Sequence, residues 1–148
     1  MLTAVVAVLG TLAGALLTGT LQHLSQRAQR TATETATRRA DAVTAITELA
    51  SALADHRRAM WIREDLRLRG QDWTAARAES HSTRSAVTAP LLRVQLLLPA
   101  VAPAAQEAAR ATYALRDSDG QTPLAAARLH AIQKTDALVE AAGTALAA

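Results

Sequence analysis

The sequence predicts an all-α protein: a single N-terminal transmembrane helix continuing into a long helix, packed as an antiparallel three- to four-helix bundle. Three observations lead there. The first is the stretch Leu2 to Leu21, LTAVVAVLGTLAGALLTGTL, twenty residues without a charge. At 1.5 Å per residue it spans about 30 Å, the hydrocarbon thickness of a bilayer. The second is composition: half of the 148 residues are apolar, yet there is no Phe and one Tyr. A core must then come from Ala, Leu and Val on closely packed helices, because Ala is the strongest helix former and a poor strand former. The third is the recurrence of apolar residues at spacings of three and four from Val43 onward. The expected organisation is a transmembrane anchor over 1–22, a helical neck over 23–42 and a cytoplasmic helical bundle over 43–148.

The anchor comes first in the chain. A cleaved secretory signal would carry a basic n-region and a shorter apolar core, and no Lys or Arg precedes this run. On its carboxyl side Arg27, Arg30, Arg38 and Arg39 outnumber Glu34 and Asp41. By the positive-inside rule the N-terminus lies outside the cell membrane and the C-terminal part in the cytoplasm. Within the span, Gly10 and Gly14 form a GxxxG that Thr18 extends by four. Small residues at that spacing let two helix backbones approach, favouring self-association or docking on a partner's span, although Ala and Gly are simply abundant here.

The neck, Gln22 to Ala42, contains no Pro or Gly, so the helix should pass through it unbroken. Leu21, Leu24, Ala28, Thr31, Thr35, Arg38 and Ala42 make a heptad of weak occupants that permits an oligomeric stalk. Val43, Ile46, Leu49, Ala50, Leu53, Met60 and Trp61 then share one helix face, and Gly70 is a natural residue to end the helix. Asp72 is placed to cap the next helix, whose inner stripe reads Trp73, Ala76, Ser80, Thr83, Val87, Leu91, Val94 and Leu98. Pro90 should kink or interrupt that helix. Leu91 to Ala105, too short to span a membrane, reads as a buried helix end and a Pro-rich corner, with contact with or re-entry into the membrane as the alternative. A third helix is expected from about Pro103 to Arg116, and Asp117 to Gly120 is a turn by composition. Thr122 and Pro123 open a last helix with the inner stripe Leu124, Ala127, Ala131, Leu138 and Ala142, and Gly143 suggests its end.

The first two bundle helices, joined by a short connection, should form an antiparallel hairpin in which facing residue numbers total about 142. That register gathers Arg57, Trp61, Glu64, Glu79, His81 and Arg84 into one polar band. Charges on an apolar face need partners, so the band reads either as a ligand pocket or as a salt-bridged layer that sets the register, with Arg57 stacked on Trp61.

Reaction chemistry is hard to find. With no Cys, disulfides, thiolate metal sites and thiol nucleophiles are excluded. His23, His56, His81 and His130 show no metal-ligand spacing, and no GxSxG, phosphate-cradling Gly loop or dinucleotide fingerprint occurs. The expectation is a non-enzyme with no cofactor, no metal and no catalytic residues. The net charge is only +3, and the arginines alternate with acids along helices, so direct nucleic-acid binding is not expected. The basic flank is explained by topology and anionic lipid.

The run LADHRRAMWIREDLRLRGQDWTAARAESHSTRSAVTAPLL from Leu53 to Leu92, together with ATYALR from Ala111 to Arg116 and the N-terminal anchor, resembles the KilB-type proteins of actinobacterial conjugative plasmids. The resemblance covers most of the chain and contains no catalytic motif. It implies a small membrane-associated protein linked to the spread of plasmid DNA between compartments of the mycelium, harmful to the host when unregulated. The expected partners are the membrane, further copies of the chain and other plasmid-spread proteins. A scaffold, a membrane-permeabilising (holin-like) factor and a ligand-sensing helical domain all stay open.

Overall fold

In a computed structural model, residues 2–147 are described, with side chains described for 26, 27 and 29–147. The described residues are helical with no strand: α1 Leu2–Leu68, α2 Thr74–Leu97, a 3-10 turn Pro99–Val101, α3 Ala102–Tyr113 and α4 Gln121–Ala147. They fall into two compact units, Met1–Arg38 and Arg39–Ala148.

In the first unit the described neck side chains are exposed on every side of the helix. The hydroxyls of Thr31, Thr33 and Thr35 donate to the carbonyls of Arg27, Gln29 and Thr31, one turn back, which satisfies them without a partner helix. Arg27, Arg30, Arg38 and Arg39 are all exposed. The anchor expected over 1–22, with Gly10, Gly14 and Thr18, lies outside the residues whose side chains are described. Among those that are, no helix is long and apolar enough to cross a membrane.

The second unit is a four-helix bundle. Its larger core layer joins Ala45, Ile46, Leu49 and Leu53 of α1 to Val87 and Val94 of α2, Val101, Ala105 and Ala108 near the start of α3, and Leu138 and Ala142 late in α4. A smaller layer joins Met60, Ala111, Leu115, Leu124 and Ala131. Between one layer and the other α1 and α3 run in the same direction and α4 in the opposite one. The pairs Glu48–Arg93 and His56–Thr83 make α2 antiparallel to α1 on the predicted register. With Ala at so many inner positions the backbones can approach closely, and shape matching of small side chains replaces the aromatic core that the composition does not supply.

The helix ends follow local chemistry. Gly70 has φ +65, and its N–H bonds Arg67 O while Gln71 N–H bonds Leu66 O, the paired 5→2 and 6→1 bonds that close a helix on a left-handed residue. Asp72 Oδ1 accepts from Thr74 N–H at 2.9 Å, and that bond holds its carboxyl below the usual range. The predicted α4 stripe is buried at Leu124, Ala131, Leu138 and Ala142, with Ala127 half-buried.

Four expectations are corrected. Pro90 does not interrupt α2, which continues to Leu97. Val87 and Val94 on either side of it are fully buried in the same layer, so tertiary packing outweighs the lost backbone bond. Gly143 does not end α4: it is exposed and has no positive φ, so the helix passes through it at a modest entropic cost. The third helix closes at Tyr113, and the chain turns through Asp117 at φ 59. The Leu91 to Ala105 stretch is only partly inside, with Leu92 and Leu96 54% and 72% exposed.

Candidate functional site

The polar residues of α1 occur as neighbouring pairs, and the bundle sends the members of each pair to different sides. His56, Met60 and Arg63, at spacings of four and three, face α2 and α3, where they form the floor of a cavity of about 230 Å³ with Ser80. Arg57 and Trp61, each one residue further along, face α4. Arg128 lies over the Trp61 ring at 4.9 Å. Arg57 is lowered by partial burial and by Arg128, against the opposing pull of Asp136.

Around the cavity's mouth stand His81 and Arg84 from α2, Tyr113 from the end of α3 and Arg116 from the turn that follows. Three guanidinium groups thus line one cavity, and no Asp or Glu is among its lining residues. The Arg84 guanidinium sits 4.0 Å from the centre of the Tyr113 ring, a cation–π contact that fixes a long side chain over the opening. Tyr113 meets the His56 ring edge-on at 5.5 Å. Behind the floor, Arg63 stacks on Trp73 at 5.3 Å and approaches Glu64 at 3.5 Å.

Glu64 is fully buried. Its stronger partner is Arg67, at 2.6 Å, and Arg67 in turn donates to Ser118 O at 2.5 Å. This ties the end of α1 to the α3–α4 turn, as does the Gln121–Asp65 bond at 2.9 Å. Glu64 Oε1 and Arg63 Nε complete no hydrogen bond in spite of their proximity.

His56 is the buried centre of the cavity, 1% exposed. Its Nδ1 lies 3.0 Å from Thr83 Oγ1. The Thr83 hydroxyl also lies 3.0 Å from Glu79 O and 3.3 Å from Ser80 O; when it donates to one of these carbonyls, Oγ1 accepts from the ring and the proton sits on Nδ1. Nε2 is then a bare lone pair, and it has no partner. Burial first, then Arg84 and Arg63, hold the imidazole pKa down to about 4, so the ring is neutral at physiological pH.

The predicted polar band is therefore divided. His81 and Arg84 reach the cavity, Arg57 and Trp61 belong to the α4 side, Glu64 is buried in an ion-paired cluster, and Glu79 is exposed. The cation over Trp61 is Arg128 instead of Arg57. A single-stripe reading of α1 missed His56 and Arg63 because a helix enclosed by three others buries an arc wider than one stripe. The spacing of His56, Met60 and Arg63 was the available signal. Arg116 carried none, since it lies past the end of α3 in a turn where its N–H bonds Tyr113 O.

A family model described as KilB plasmid transfer protein matches residues 43–146. A curated relative, Protein KilB of Streptomyces lividans, is 53% identical over 145 residues, 96% of each chain. No solved structure matches.

Proposed function

The chain belongs to the KilB plasmid-transfer family, and from that premise we propose that it is a non-enzymatic, membrane-anchored helical component that assembles with itself or with other plasmid-spread proteins while plasmid DNA moves between cell compartments. Membership supports the role in plasmid spread. The finer reading rests on one observation: the uncharged Leu2–Leu21 sequence and the α1 core residues Ala45 to Met60 belong to a single helix, Leu2–Leu68. A helix that is polar on all sides, as over the described neck residues, suits a connector between an anchor and a folded unit.

Native Cys is absent, so a single Asp119→Cys at an exposed turn reports topology without background. An impermeant maleimide should leave it unlabelled in intact cells and label it after lysis. Labelling from outside overturns the orientation. Cross-linking in membranes should yield oligomers or defined heterologous adducts, whereas dye leakage from proteoliposomes carrying the chain would favour the permeabilising alternative.

A further inference from the structure

The cavity between α1, α2 and α3 combines features that structural packing alone does not call for. Three arginines converge on it with no carboxylate in the lining. In an ion-paired layer each cation would be expected to find an acid; here Arg63 shares Glu64 with the closer Arg67, and Arg116 meets Asp117 at the exposed turn. Arg84 holds an aromatic ring in place of an acid. At the floor an imidazole nitrogen, fully enclosed, has nothing to accept from.

We propose that this cavity binds a singly protonated phosphate group, as inorganic phosphate or as the monoanion of a phosphomonoester, which takes up one proton from solvent on binding because its second pKa lies at about 6. Guanidinium forks match the charged oxygens, and a shift of the side chains around the enclosed Nε2 of His56 lets the P–OH donate to it, since the Nδ1 proton leaves Nε2 as an acceptor. The hydroxyl requirement separates phosphate from sulfate, which has the same shape and charge but no hydrogen to give at neutral pH. Ser80 is already committed, its Oγ donating to Arg77 O at 2.8 Å. A duplex nucleic-acid backbone does not fit the same chemistry: its diesters carry no P–OH, and Arg63, 7% exposed at the floor, is out of reach of a wide, convex surface.

Calorimetric titration of inorganic phosphate into the full-length chain in detergent at pH 7 tests this. The expected result is one saturable site with at least tenfold preference over sulfate. Arg84→Gln and Arg116→Gln, both at exposed rim positions, each weaken binding tenfold or more, while Arg128→Gln on the α4 side leaves it within twofold. Glycerol 3-phosphate and vesicles containing phosphatidic acid distinguish a soluble monoester from a lipid headgroup, and preferential binding of either upholds the site. Equal affinity for sulfate, equal loss in Arg128→Gln, or no saturable binding of any of the three phosphate probes overturns it. Binding of duplex DNA that is lost in Arg84→Gln, without phosphate binding, overturns it in favour of backbone recognition.

Discussion

The two sides of α1 between His56 and Glu64 use the same chemistry to different ends. Toward α4, an arginine lies on an aromatic ring with an acid nearby: Arg128 on Trp61, with Asp136 opposing the mutual repulsion of Arg128 and Arg57. Toward α2 and α3, an arginine again lies on an aromatic ring, Arg84 on Tyr113, but the groups gathered around it are Arg63, Arg116 and a neutral histidine, with a cavity between them. The first arrangement has an acid within electrostatic range of its two arginines, although Arg57 Nη1 stays buried without a hydrogen-bond partner. In the second, the acids that Arg63 and Arg116 meet lie outside the cavity lining, and Arg84 faces a ring in place of an acid. Stacked arginines alone are thus no sign of a binding site; a missing counter-charge beside an unpartnered buried acceptor is.

Substitutions separate the sides by size of effect. The largest belongs to neither side but to the cluster behind them. Glu64→Ala leaves Arg63 buried without its acid and should cost about 3–5 kcal/mol in urea unfolding. A loss below about 1 kcal/mol would mean that Arg63 is rescued by water and that the cluster does not hold the bundle. Next comes acid. The folded imidazole of His56 titrates near 4 against an ordinary 6.5, so between these pH values the unfolded chain takes up a proton that the folded one refuses. Stability is fully present above pH 6.5 and falls by about 3 kcal/mol as pH drops through this window to 4. His56→Gln should flatten that slope, and an unchanged slope would put the acid sensitivity elsewhere.

Smaller effects define the α4 side and the frame around both. Arg128→Ala should cost only about 0.5–1 kcal/mol, the worth of an exposed cation–π contact; a loss several times larger would make this side the more consequential one. Gly143→Ala touches neither side and has nothing within 4 Å of the added methyl group. It should raise stability by about 0.5–1 kcal/mol, providing a control for changes that act through the helix alone.

Much of the bundle was legible in the sequence because small apolar residues at helical spacing, Gly70 and Asp72 act locally. The α2 and α4 stripes, the turn at Asp117 to Gly120 and the hairpin register all follow from such signals. Pro90 and Gly143 misled for one reason: each is a breaker by local propensity, and each sits in a helix held by packing that the local sequence does not reveal. The cavity was only half legible. His81 and Arg84 were found through the register, whereas His56 and Arg63 required knowing that α1 is enclosed on several sides, and Arg116 that α3 gives way to a turn after Tyr113. The polar band drawn as one site is two neighbourhoods, and only the fold decides which member of each adjacent pair goes to which.

The most direct test of this division is the NMR titration of the His56 ring in the full-length chain. Its charged or titratable neighbours are Arg63 on α1, Arg84 and His81 on α2, and Arg116 beyond α3, with Tyr113 against its edge. A Nδ1–H tautomer titrating near 4, with a midpoint that rises when inorganic phosphate is added, is the result expected of a neutral acceptor in an uncompensated basic cavity. A midpoint near 6.5 that phosphate does not move would contradict it.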